Sequence, residues 1–133
     1  MKNMVLILSI PLAFVGIVLA TSSYFEYLEN PKSEFATFEE MESAGLISRG
    51  WLPEYFPKSA TRIREGHNID TNRVWAAFKY DRSDVKSMEE VCQKIAESNA
   101  GSKYLCPPYD SRTSTMIFRN DGEAYYLSYD NGI

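Results

Sequence analysis

From Met4 to Ala20 the apolar positions run almost without a break. The stretch MVLILSIPLAFVGIVLA carries no charge, and Lys2 precedes it. Past Asn30-Pro31, where proline disfavours helix in the residue before it, the rhythm changes to short periodic segments. Phe38, Met41 and Ala44 recur at helical spacing. Thr37 with Glu40 makes a capping box and Gly45 is a natural stop, so a short helix is predicted from Phe38 to about Ala44. Leu46 to Pro57 holds Pro53 and Pro57, which forbid a long regular element; the stretch reads as an aromatic-rich loop with room for one helical turn at Pro53 to Phe56. Ala60 to His67 alternates, with Thr61, Ile63 and Glu65 on one face and Ala60, Arg62 and Arg64 on the other, and is predicted as a strand. Asn68 to Asn72 has turn chemistry. Arg73 to Tyr80 is rich in β-formers and puts Val74, Ala76, Phe78 and Tyr80 on one side, so the two strands should pair as a hairpin.

Ser87 with Glu90 is a second capping box, and Met88, Val91, Cys92, Ile95 and Ala96 form an apolar stripe. These predict a helix from Met88 to about Ser98, ended by Asn99, Gly101 and Ser102. Arg112 to Arg119 and Glu123 to Tyr129 flank Asn120-Asp121-Gly122 and predict a second hairpin, with Met116 and Phe118 facing the core opposite Tyr125, Leu127 and Tyr129. The predicted class is therefore α+β. An N-terminal membrane helix is followed by a small domain with a mainly antiparallel four-stranded sheet, two hairpins packed by helices on one face. Residues 1–28 form the membrane anchor or signal segment, and residues 29–133 a single exported domain.

Two readings of the first segment stay open beside a third, a buried soluble helix. A spanning helix takes about 20 apolar residues and a signal peptide an apolar core of roughly 7 to 15; Met4 to Ala20 falls between them. Tyr24, Phe25 and Tyr27 suit a membrane interface. Val18 and Ala20, or Ala20 and Ser22, suit cleavage after Ala20 or Ser22. No cysteine follows the run, which excludes a lipoprotein. Lys2 before an uncharged run keeps the amino terminus inside and exports the remainder under both main readings. The expected location is the bacterial inner membrane, single-pass through residues 4–24 with the C-terminal domain periplasmic or extracellular; the alternative is secretion after cleavage near Ala20.

Composition narrows the function. The part after residue 22 holds 13 basic and 18 acidic residues, a balance that does not suit nucleic acid. Glu26, Glu29, Glu34, Glu39, Glu40 and Glu42 are offset only by Lys32 and read as a solvated stalk or helix face, or as a docking surface for a basic partner. Cys92 and Cys106, an even count in an exported domain, are predicted to form a disulfide; two buried thiols are the rival reading and need a cytosolic domain. Two cysteines and one histidine do not close an ordinary zinc site without carboxylates, so no metal is expected, and no cofactor motif is visible.

Gly50-Trp51-Leu52-Pro53, Phe56-Pro57-x-Ser59-Ala60-x-x-Ile63 and His67-Asn68-x-Asp70-Thr71-Asn72 together resemble a motif string of an uncharacterised family of small exported or membrane-tethered bacterial proteins, some of them near toxin–immunity loci. The resemblance implies a bacterial, exported protein. It assigns no activity.

His67 is the only histidine and, near Glu65 and Asp70, has the chemistry of a general base; the plainer reading is structural. Ser59, His67 and Asp70 make a triad only on paper, since no nucleophile elbow surrounds Ser59. Glu65, Asp70 and Asn72 offer oxygens but lack a calcium-loop pattern. The binding candidates are Trp51, Tyr55, Phe56, His67, Asp70 and Asn72. Rigid aromatic loops make good anchors, although Trp51 and Phe56 can also plug the core; Tyr55 is expected to be exposed. The reading is a membrane-tethered or exported domain that binds another macromolecule at the cell envelope, a protein partner; its concrete form is an immunity- or inhibitor-like protein. The alternative is a cell-envelope hydrolase or accessory subunit using His67.

Overall fold

The computed structural model describes residues 2–109 and 111–131, with side chains from Val15 onward. The chain runs α1 (Lys2–Glu29), β1 (Lys32–Thr37), α2 (Phe38–Ser43), β2 (Thr61–Asn68), β3 (Arg73–Lys79), a 3-10 turn at Arg82–Asp84, α3 (Val85–Glu89), β4 (Gln93–Ser98), β5 (Gly101–Cys106), β6 (Arg112–Arg119) and β7 (Glu123–Asp130).

The strands form one sheet in the order β1-β2-β3-β7-β6-β5-β4, antiparallel at every step. This corrects the expected four-stranded sheet: the two predicted hairpins form its centre, and three unforeseen strands widen it to seven. β1 escaped notice because Lys32 and Glu34 point outward and only Phe35 is a large apolar residue, the charged make-up of an edge strand. β4 replaces the greater part of the predicted helix from Met88 to Ser98 and pairs with β5 beyond it. Met88 and Cys92 of its stripe are buried, whereas Val91 and Ile95 are exposed. Helix ends at Glu89, and Gln93 pairs with Leu105 on β5. Gly101, read as a helix stop, closes the β4–β5 hairpin at φ +149°, where an added Cβ would lie 2.0 Å from the Phe118 carbonyl oxygen. Local helix propensity in QKIAES yields to this pairing.

The N-terminal segment is helical, but among the described residues no helix is long and apolar enough to cross a membrane. The predicted membrane helix is corrected accordingly. The side chains of residues 4–14, which carry most of the apolar run and of the membrane contact expected through residues 4–24, lie outside those described. At its end α1 meets the β2–β3 turn, where the Ile69 amide donates to the Glu29 carbonyl.

One face of the sheet is packed. Ile63, Val74, Phe78, Tyr104, Met116 and Tyr126 meet Phe38 and Met41 of α2, Leu46, Leu52 and Phe56 of the following loop, and Met88 of α3. In the second hairpin Met116 and Phe118 face the core as expected, but β7 is in the opposite phase to that expected. Met116 pairs with Tyr126 and Phe118 with Ala124, so Ala124, Tyr126 and Ser128 face inward and Tyr125, Leu127 and Tyr129 outward. A one-residue change of register exchanges the two faces of a strand. The small inward residues are accommodated, since Ser114 and Ser128 hydrogen-bond each other at 2.9 Å inside the core. Cys92 and Cys106 form the predicted disulfide, tying the chain after α3 to the end of β5.

Candidate functional site

The site is built at the end of β2, where the strand's alternation carries two titratable groups inward. Glu65 shares the core face with Ile63, and its side chain is fully buried; His67, two residues on, is 11 % exposed. The Nδ1 atom of His67 lies 2.6 Å from Glu65 Oε1, while Oε2 has no hydrogen-bond partner. Loss of water around Glu65 pushes its pKa above the ordinary carboxyl value; the His67 hydrogen bond and charge, and the Arg49 charge, oppose that rise.

The other side of this pair is aromatic. Trp51 stacks on His67 with ring centroids 3.9 Å apart and an interplanar angle of 22°. The loop that brings Trp51 here turns at Gly45 and Gly50, both at positive φ, and the Trp51 amide donates to the Leu46 carbonyl. Trp51 then lines an open cleft of about 860 Å³ together with Arg49, Asp70, Asn72, Arg73, Arg112 and Asp130.

The cleft wall is cross-braced. Asn68 Oδ1 accepts from the amides of Asp70 and Thr71, which shapes the β2–β3 turn. Asn72, at φ +51°, donates from its side chain to Asp130 Oδ2 at 3.0 Å. Arg112 donates to the Asn72 carbonyl at 2.7 Å and pairs with Asp130 at 3.2 Å. Arg112 is thus spent on structure. Arg73 makes no ion pair among the described residues, and the Arg49 guanidinium donates to the Ala44 carbonyl.

The six binding candidates separate. Trp51, Asp70 and Asn72 line the cleft, and His67 supports Trp51 from behind. Tyr55 and Phe56 lie elsewhere. Phe56 is buried against Phe78 at 4.4 Å. Tyr55, expected to be exposed, is half-buried and donates to the Pro107 carbonyl at 3.2 Å; burial, with Tyr126 next in effect, raises its hydroxyl pKa.

Sequence reasoning missed Arg49, Arg73, Arg112 and Asp130. No local signal joins Asn72 to Asp130, 58 residues away. The paper triad is not assembled. Ser59 Oγ accepts from the Asp81 amide and Ser59 N donates to Asp84, while His67 is committed to Glu65. Among the described residues no three His, Cys, Asp or Glu side chains converge as metal ligands.

Residues 29–79 match the YbbD head domain family. The match supports a bacterial family and takes in β1 to β3 with Trp51, Glu65, His67, Asp70 and Asn72, while Arg112 and Asp130 lie beyond it. Comparison with curated proteins and with solved structures gives no significant match.

Proposed function

We propose that this chain is a non-enzymatic binding domain whose contact with another protein is centred on the Trp51 cleft. The observation that carries this reading is the Trp51–His67 stack. A ring fixed from behind at 3.9 Å, on a loop stiffened by Pro53 and Pro57, loses little freedom when a partner covers its other side. Arg49 and Arg73 beside it favour a carboxylate-bearing segment of the partner, and the pairing of an aromatic anchor with arginine is characteristic of interface hot spots. The Cys92–Cys106 bridge favours an oxidising compartment, hence an exported domain. An immunity- or inhibitor-like protein is the concrete form of this proposal and rests on the Gly50–Asn72 motif string. A hydrolase using His67 has the Glu65–His67 pair in its favour, but that imidazole is covered by Trp51 and touches no nucleophile among the described residues.

The test is photo-crosslinking in cells of the source bacterium. A photoreactive residue replacing exposed Asp70 at the cleft should give a discrete adduct, and one replacing Glu97 on β4 should not. Equal labelling from both positions, or none from Asp70, contradicts the reading.

A further inference from the structure

The second face of the sheet is uncovered, and its chemistry departs from that of the chain. Paired residues of adjacent strands share a face, so the register places Gly66, Trp75, Leu127, Thr115 and Leu105 in one row across the sheet. The next row is Arg64, Ala77, Tyr125, Ile117 and Lys103. Trp75, Tyr125, Leu127 and Ile117 are each between 36 % and 41 % exposed and adjoin one another across β3, β7 and β6. Trp75 is held in place: its indole lies over Gly66, where an added Cβ would come within 2.6 Å of Nε1.

Around this apolar centre stand Arg64, Lys79 and Lys103. All three are exposed, and none forms an ion pair among the described residues. A hollow of about 490 Å³ opens beside the β2 bulge, where Arg62, Arg64 and Lys79 meet Tyr125 together with Glu34, opposite Arg64, and Glu123, which accepts from the Tyr125 hydroxyl at 3.1 Å. The chain carries a net charge of −4, yet Arg62, Arg64, Lys79 and Lys103 outnumber Glu34 and Glu123 here and leave this part of the face net positive.

We propose that the uncovered sheet face is a second docking surface, distinct from the Trp51 cleft, and that it takes an acidic protein surface with an apolar centre. Charge complementarity calls for an anionic partner. The aliphatic side chains of Ile117 and Leu127 among the rings give the apolar centre and charged rim of a protein interface. A nucleic-acid platform would instead offer rings with polar side chains between them. A second copy packed face to face would set the unpaired cations of both copies against each other, which disfavours a symmetric dimer.

The experiment measures fluorescence anisotropy of a labelled synthetic peptide of alternating glutamate and leucine added to the full chain, with labelled polyglutamate, oligothymidylate and phosphatidylglycerol vesicles as competing probes. The peptide should bind wild type more tightly than every other probe. It should lose about tenfold or more in affinity with Arg64→Glu/Lys79→Glu/Lys103→Glu, and also with Ile117→Ser. Binding should be unchanged in Lys58→Glu, at an exposed lysine outside both surfaces. These surface changes leave the core intact, which unchanged melting verifies. Equal affinity in the charge-reversed variant, preference for oligothymidylate or vesicles, or an equal loss in Lys58→Glu overturns the proposal. So does sedimentation equilibrium that finds a wild-type dimer abolished by Ile117→Ser.

Discussion

The imidazole of His67 lies flat against the indole of Trp51, 3.9 Å between centroids, while its Nδ1 faces Glu65 Oε1 at 2.6 Å. A loop residue is therefore fixed to a core carboxyl group through one ring.

His67→Ala removes both contacts. The stack is worth about 0.5–1.5 kcal/mol beyond its buried area, and a buried acceptor left without its partner costs about 1–3 kcal/mol. We expect a loss of roughly 2–4 kcal/mol in urea unfolding. His67→Phe should recover the stacking part only. Equal stability of His67→Ala and wild type would show that Glu65 and Trp51 are held by other groups.

Glu65 makes stability depend on pH in a defined direction. Its folded pKa is raised above the ordinary 4.5 by burial. Its protonation therefore stabilises the fold fully below that ordinary value, and the contribution is lost as pH rises through the folded value. Glu65→Gln does not titrate. Compared pairwise by thermal unfolding, wild type should gain on Glu65→Gln as pH falls from about 8 towards the ordinary carboxyl value. A difference that stays constant or runs the other way contradicts the assignment.

The strand phase around this pair was legible in the sequence. Alternation placed Ile63 and Glu65 together on one face of β2, and Val74, Ala76 and Phe78 on one face of β3. The Asp121-Gly122 turn signalled the β6–β7 hairpin. What was not legible depends on contacts distant in the chain. β4 is exposed along its whole length and reads locally as helix; it becomes a strand because β5 offers an edge and Cys92 is bridged to Cys106. Within the site, Trp51, Asp70 and Asn72 stand in one motif string. Their cleft partners Arg112 and Asp130 follow 40 and 58 residues after Asn72 and meet it only because β7 lies beside β3.

The disulfide should carry measurable stability. It closes a loop with a sequence separation of 14, for which chain entropy gives about 3 kcal/mol. Cys92→Ser/Cys106→Ser should unfold at lower denaturant by about that amount, and wild type in reductant should follow it. Identical midpoints with and without reductant would remove the bridge from the account.

Gly66→Ala tests how Trp75 is seated. The new Cβ meets the indole at 2.6 Å, so the ring must swing off the sheet. We expect a loss of about 1–3 kcal/mol, the usual cost of overpacking, and a shift of the Trp75 indole N–H resonance. An unmoved resonance would show that the ring does not rest on Gly66.

The central claim is that the Trp51 cleft is the contact surface, and its most direct measurement is the dissociation constant of the partner crosslinked through position 70. Arg73 is exposed, makes no ion pair among the described residues and lines the cleft with Trp51, so Arg73→Glu reverses a cleft charge at little structural cost. The account predicts an unchanged melting temperature and a dissociation constant raised by about tenfold or more, equivalent to about 1.4 kcal/mol. An unchanged dissociation constant in a variant that melts like wild type would contradict it.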